Sequence, residues 1–325
     1  MARCSKCGRK AVVKLRYARM NLCAEHFTQY FEGRVSETIV KYGLIGRSES
    51  VLAAVSGGKD SASLLAALLK AGAQQGFKVI PLHLNLGLGE YSRECLESVE
   101  GLGRSLGVGV EVVSVKDVIG VGVADLAEAS RKPPCSVCGL VKRYFLNAAA
   151  LEWGVSAVAT GHHLDDLALY ALKDILLGEL REAAKLAPRV EGGGGFLARR
   201  VRPLYEVSER ECLIYALVNH LPFTRTACPN TYVGRLDALV KQFLLSLDER
   251  HPGLKLRFMR SLAKVWAEAI QPPAESYGRC PECGMPSRGG VCGFCRLTKR
   301  VVGEAAGPRV REYLRGRRPS TVGPS

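Results

Sequence analysis

Twelve cysteines stand in this 325-residue chain, and spacing sorts most of them into ligand sets. Cys4 and Cys7 form a C-x2-C pair, followed after 15 residues by Cys23 and His26 as C-x2-H. Cys280 and Cys283 form another C-x2-C pair, and Cys292 and Cys295 repeat it eight residues later. Each set offers soft or borderline ligands in two tight pairs, which suits the tetrahedral preference of Zn2+. Gly8 and Gly284 follow two of the pairs and Gly293 follows Cys292, where a knuckle turn favours positive φ. Both sets are closed, with no open ligand position, so each is read as a structural zinc site rather than a catalytic one. The competing reading is a chance cluster of buried thiols, which is weaker for the four-Cys set.

Cys135 and Cys138 make a further C-x2-C, in PPCSVCGLVKR, with no second pair nearby; Cys228, in ACPN, follows about ninety residues on. Three thiolates without an obvious fourth ligand suit an iron–sulfur cluster with one open iron, or a catalytic dithiol. By spacing alone Cys228 reads equally as a small buried hydrophobe. Cys95 and Cys212 lie in helical patterns and are read as core residues.

The other chemical feature is SGGKDS (56–61), directly after the apolar run VLAAV (51–55) and at the start of an amphipathic stretch. Two glycines let backbone close on a phosphate, and a helix N-terminus offers free N–H groups and a positive dipole end. Ser56, Lys59 and Ser61 add donors, and Asp60 suits a metal or a ribose. The string is not a Walker A loop: Asp follows Lys59.

The elements that must position these residues alternate. Short apolar runs at 51–55, 78–86, 110–115 and 156–160 are separated by helical patterns, which predicts βαβ units and a parallel sheet with helices on both faces, an α/β fold. Ligands in such sheets bind at the carboxyl ends of the strands. EGGGGF (191–196) breaks the rhythm as a flexible loop or hairpin. Helical patterns resume at 208–220, 233–249 and 254–270, until QPP (271–273) ends the run. The expected organisation is an N-terminal zinc module (1–32), an α/β domain with a helical C-terminal part (33–270), a zinc ribbon (271–300) and a basic, mobile tail (301–325).

Composition bounds the function. Hydrophobic residues make up 47%, enough for a core and too many for a disordered chain. No run approaches 18 apolar residues, so no membrane span is expected, and the first residues lack a signal-peptide core, which points to the cytoplasm. Lys and Arg exceed Asp and Glu by 46 to 31, a net charge of +15 that suggests a polyanionic partner. Residues 1–30 hold seven Lys/Arg against one Glu, so basic zinc modules at the ends suit a folded RNA. An Arg-rich thermophile surface is the plainer explanation, and the two are compatible.

SGGKDS after a strand resembles the PP-loop of the N-type ATP pyrophosphatases, which adenylate a carbonyl oxygen and release pyrophosphate. TGHHLDD (160–166) is similar to that superfamily's GHNLDD element, with His163 where Asn is usual. CSVCGLVKR with a later CPN resembles the tRNA 2-thiolation enzymes. LGLGEYSRE (86–94), GVGVADLA (120–127) and CGMPSRGGVCGFC (283–295) resemble the TtuA-type branch, which thiolates uridine or 5-methyluridine at tRNA position 54. The resemblance runs from Cys4 to about Arg296. It implies ATP and Mg2+ as cofactors. Ser56, Gly57, Gly58, Lys59, Asp60 and Ser61 would hold the phosphates, Ala54 and Leu84 the adenine, and Gly161 would allow close approach of the nucleotide. Lys142, one helical turn after Cys138, would neutralise phosphate charge; without the motif it reads as a solvated helix lysine. Asp166 would act on Mg2+ or a proton, and Asp165 is the more structural of the pair, a helix-start residue. Ser56, Lys142 and Asp166 are thus the catalytic candidates. The resemblance also implies a 4Fe-4S cluster on Cys135, Cys138 and Cys228, a ubiquitin-like thiocarboxylated protein as sulfur donor, tRNA as partner and a homodimer. Wobble-uridine thiolation at position 34, another PP-loop tRNA-modifying enzyme such as a lysidine synthase, and a non-catalytic zinc-ribbon adaptor for RNA are the alternatives.

Overall fold

A computed structural model describes residues 2–193, 195–230, 234–269, 278–317 and 319. The chain opens with a short antiparallel hairpin, β1 (Val13–Leu15) and β2 (Met20–Leu22), followed by α1 (Ala24–Lys41). Along α1 the buried residues Phe27, Phe31, Val35, Thr38 and Ile39 recur at helical spacing and form one apolar stripe. That stripe packs in the same core as the next domain. The boundary expected at 32/33 therefore falls inside one continuous helix.

The α/β part then follows as β3 (Ser50–Ala54), α2 (Lys59–Gln75), β4 (Lys78–Asn85), α3 (Glu90–Leu106), β5 (Glu111–Ser114), α4 (Val115–Ile119), α5 (Val123–Ser130), α6 (Pro134–Glu152), β6 (Ala157–Ala159), α7 (Leu164–Leu176), α8 (Leu180–Ala184), β7 (Arg189–Val190), β8 (Arg199–Val201) and α9 (Glu209–Val218). The sheet order is β5-β4-β3-β6-β8-β7, parallel except that β7 pairs antiparallel with β8. The segment around 191–196 is thus a hairpin, and its second arm joins the parallel sheet as a strand the sequence pattern did not announce.

Strand residues alternate between two buried faces. Val51 and Ala53 join the core beneath α1, α2 and α9, whereas Leu52 joins the core beneath α5 and α6. Burial on both sides explains why these strands read as continuous apolar runs. The chain moves outward from β3 to β4 and β5, then returns to the other side of β3 as β6. That reversal opens a crevice at the carboxyl ends of β3 and β6, the usual ligand position in such sheets.

Two further helices, α10 (Arg235–Arg250) and α11 (Leu254–Ala269), pack on α7 around Leu167, Leu244 and Met259. The QPP break lies outside the described residues. The C-terminal part holds a two-strand pair, β9 (Gly278–Arg279) and β10 (Pro286–Ser287), then α12 (Gly293–Val302) and α13 (Gly307–Arg315). Phe294 of α12 stacks on Tyr144 of α6, with centroids 3.9 Å apart and planes 14° from parallel. The tail expected to be mobile from 301 instead contains α13, with Val310 and Leu314 fully buried and the Trp153 indole donating to the Leu314 carbonyl at 3.0 Å. The basic charge that suggested a free tail lies on the outer face of an amphipathic helix, and Arg311 and Arg315 pair with Glu152. No described helix is long and apolar enough to cross a membrane.

Candidate active site and cysteine clusters

The loop 56–61 sits where β3 ends and α2 begins, at the crevice. Gly57 has φ +93°, and a Cβ there would lie 2.9 Å from the backbone of Cys95 on α3, so no side chain fits. Gly58 is the N-cap of α2 and offers no side-chain cap, which leaves first-turn N–H groups free for an anion. Ser61 Oγ braces the loop: it accepts from Ser56 N at 3.0 Å, donates to Gly58 O at 2.9 Å and lies 3.1 Å from Ser56 Oγ. A Cβ on Gly161, just past β6, would come within 3.3 Å of Ser61 N, so that glycine lets the two crevice walls close. Ala54 ends β3, and Leu84 lies near the end of the adjacent β4, both half-buried at the same edge of the sheet.

Lys59 Nζ lies 3.1 Å from both Asp60 Oδ2 and Glu209 Oε1. Burial pulls its pKa down, but these two carboxylates outweigh burial and hold it above the ordinary lysine value. Asp60 Oδ1 is buried with no hydrogen-bond donor. It faces His163 Nε2 at 3.9 Å, and Asp166 Oδ2 lies 3.4 Å from the same nitrogen. Burial, assisted by the Asp60 charge and opposed by His163, raises the pKa of Asp166. An orphaned carboxylate oxygen beside a second, desolvated carboxylate is a donor set that fits a hard divalent cation. Asp165 points elsewhere: it accepts from Glu209 N at 2.6 Å and pairs with the buried Lys255 of α11. His162 is exposed, with Nδ1 2.8 Å from Thr160 Oγ1, and crowding by its neighbours, then Arg202, pulls its pKa down.

The internal cysteines border this cleft. Cys135 and Cys138 lie in the first turn and a half of α6, and the segment carrying Cys228 is laid across the phosphate loop, where Thr224 N donates to Gly57 O at 2.8 Å. The Cys135 thiol donates to Asn230 O at 2.9 Å. Burial raises the Cys138 pKa, and Lys142 pulls against it while Cys228 and Cys135 add to it. Lys142, one helical turn on along α6, thus lies beside Cys138. Cys135 is exposed, and Cys138 and Cys228 are partly so.

The terminal clusters differ. Among the described residues, two groups bring all their ligand atoms within 4.8 Å: Cys4, Cys7, Cys23 and His26, and Cys280, Cys283, Cys292 and Cys295. Cys7 Sγ to Cys23 Sγ and Cys283 Sγ to Cys292 Sγ are both 3.8 Å. Zn–S bonds of about 2.3 Å at tetrahedral angles require sulfurs roughly 3.8 Å apart. His26 turns Nδ1 inward, 3.5 Å from Cys4 Sγ and 3.3 Å from Cys23 Sγ. Both sets fit zinc. Cys135, Cys138 and Cys228 do not form a third such group among the described residues. Gly8 and Gly284 both have φ +72°, as a knuckle needs, but Gly293 does not: it is the first residue of α12.

With this geometry in hand, the similarities to known proteins divide along the same lines. Residues 3–28 match the N-terminal LIM domain of the 2-thiouridine synthetase TtuA, and residues 28–228 match the PP-loop domain. The tRNA-5-methyluridine(54) 2-sulfurtransferase of Pyrococcus horikoshii is 39% identical over 91% of this chain and 93% of its own length. Its namesake in Thermus thermophilus is 37% identical over 92% and 91%. The chain belongs to the PP-loop family of tRNA 2-sulfurtransferases. A solved structure, the U34-tRNA thiolase NcsA of Methanococcus maripaludis with its 4Fe-4S cluster, shares the fold at a TM-score of 0.76 and 24% identity, covering 93% of this chain and 96% of its own.

Several residues of the cleft belong to no motif in the sequence. Glu209 touches Lys59 but carries only a helix-start signal in sequence, Ser208 and Glu211 forming a capping box. Lys255 had no signal at all. His163 was visible only as a departure from Asn; in the fold it caps α7, accepting from Asp166 N at 3.3 Å, which an Asn also does well.

Proposed function

We propose that this transferase 2-thiolates the uridine or 5-methyluridine at tRNA position 54. The higher identity to two enzymes named for that position than to the U34 thiolase supports it. The observation that carries the chemistry is the meeting of the phosphate loop, Asp60, Asp166 and Lys142 with Cys135, Cys138 and Cys228 in one cleft.

Uracil C2 is a poor electrophile with a poor leaving group. In this reading O2 attacks the α-phosphorus of ATP, pyrophosphate leaves, and AMP becomes the leaving group when sulfur attacks C2. The N–H groups of 57–61, with Ser56, Lys59 and Ser61, orient the polyphosphate, and Ala54 and Leu84 border the adenine. Asp60 and Asp166 would hold Mg2+, or Asp166 would move a proton. Lys142 neutralises phosphate charge where α6 meets the cleft. Cys135, Cys138 and Cys228 would hold a 4Fe-4S cluster, which would carry donor-derived sulfide to C2 as AMP leaves. Two structural zinc ions, a ubiquitin-like thiocarboxylated donor, a homodimer and a cytoplasmic setting complete the proposal. Anaerobically purified protein should show a 4Fe-4S signal in visible and EPR spectra. Mass spectrometry of tRNA fragments after reaction with ATP and a sulfide source should find 2-thiolation at position 54. Full activity in a colourless, iron-free protein, or thiolation at 34, would sink the reading.

A further inference from the structure

Away from the ATP cleft, the N-terminal module, α1 and α11 enclose a cavity of about 620 Å3 that is lined by Arg16, Arg19, Arg34, Arg257, Arg260 and Tyr17. Two of the arginines are fixed from behind. The buried Glu206 accepts from Arg260 Nε at 3.0 Å and lies 3.5 Å from the Arg34 guanidinium. Arg34 lies against the rings of Tyr17 and Tyr30, 5.7 and 6.0 Å from their centroids, and its Nε is buried with no hydrogen-bond partner. Tyr17 is itself tied down, donating to Glu211 Oε1 at 2.5 Å. Gly253, at φ +85°, gives it room: a Cβ there would come 3.0 Å from Tyr17 Cβ. The back wall is therefore rigid.

The rim is different. Arg16, Arg19 and Arg257 are exposed and have no acidic partner among the described residues. Uncompensated guanidiniums gathered at one mouth repel one another, and an anion relieves that repulsion. Guanidinium is also the side chain whose planar fork matches phosphate oxygens two at a time. An adjoining cavity of about 390 Å3, lined by Lys14, Arg16 and Arg19 among others, continues the basic track. A continuous track suits a repeating polyanion better than a single small anion. The pocket also bears on the cleft: Lys255 of α11 holds Asp165, and Arg257, two residues on, lines the pocket.

We propose that this arginine pocket grips the tRNA sugar–phosphate backbone, one phosphate inside and its neighbour along the track. The inference rests on tRNA being the substrate. The test is fluorescence anisotropy of labelled tRNA transcript on the holoenzyme and on its Arg16→Ala/Arg257→Ala variant, across a salt series. Both residues are exposed and have no acidic partner among the described residues, so Tm, zinc content and ATP affinity should match the parent. We expect the Kd for tRNA to rise about tenfold or more, and the slope of log K against log salt to fall by roughly one to two units. A Kd within twofold and an unchanged slope would overturn the proposal. So would loss of binding of inorganic phosphate with tRNA affinity intact, which would mark a small-anion site. Binding is read without thiolation. A parent that binds tRNA through these arginines yet thiolates nothing would therefore refute the proposed function and leave this pocket standing.

Discussion

The terminal cysteine clusters and the internal triad use the same C-x2-C spacing to opposite ends. In the four-Cys cluster every cysteine is buried, two sulfurs stand 3.8 Å apart, and Phe294 between the ligands stacks on the domain core. In the triad Cys135 is exposed, a cation faces Cys138, and the third thiol arrives on a segment laid over the phosphate loop. One arrangement offers four buried ligands to a single ion; the other leaves thiols partly exposed beside the phosphate loop. The same spacing serves both arrangements, and the number of ligands that converge in the fold separates them.

The sharpest way to break this contrast is Cys228→Ala. Thiolation should fall at least ~10^3-fold, as expected when an essential participant is removed, and iron should be lost while zinc content and Tm stay near the parent. Metal analysis with nucleoside mass spectrometry reads all of this, and a variant that keeps its activity would refute the division. Next, Asp166→Asn should lower thiolation about 10^2-fold with tRNA binding retained, since removing one electrostatic participant typically costs that much; an equal loss of tRNA binding would make Asp166 structural. On the closed side, Cys295→Ala should destabilise the fold by several kcal/mol and release the C-terminal zinc only, because structural zinc affinity is folding energy. Thermal unfolding with zinc release measures it, and a normal Tm would place this cluster among the dispensable features. The smallest effect is expected from Gly307→Ala. A Cβ there would meet Cys295 Sγ at 2.5 Å and Cys283 Cβ at 2.6 Å. Such overpacking costs about 1–3 kcal/mol, visible as a lower Tm with the iron content unaltered.

Outside the cysteines, a buried carboxylate offers a pH signature of the closed kind. Burial would raise the Glu206 pKa, but Arg260, Lys41 and Tyr42 hold it near 2 against an ordinary 4.5. A depressed carboxylate contributes stability above pH 4.5, lost as pH falls toward 2. That window is worth roughly 3 kcal/mol, and Glu206→Gln should flatten the acid limb of a Tm profile.

The strand–helix alternation, the phosphate loop and both terminal ligand sets were legible in the chain itself. Each is a local pattern: apolar runs of strand length, glycines ahead of a helix, and ligands two residues apart close their geometry within a few bonds. What depended on the fold joins distant segments. Cys228 reaches α6 only because residues 221–230 cross Gly57, and Glu209 meets Lys59 across 150 positions. Lys255 reaches Asp165 from a helix that carries no motif, and five arginines from three elements converge on one cavity. The C-terminal basic segment misled for the same reason: its charges are on the surface of α13, while Val310 and Leu314 are buried against α4 and α6. Sequence periodicity records which residues want partners. Only the packed structure decides which partners they find, because contact between remote segments is set by the whole sheet and its two helical layers.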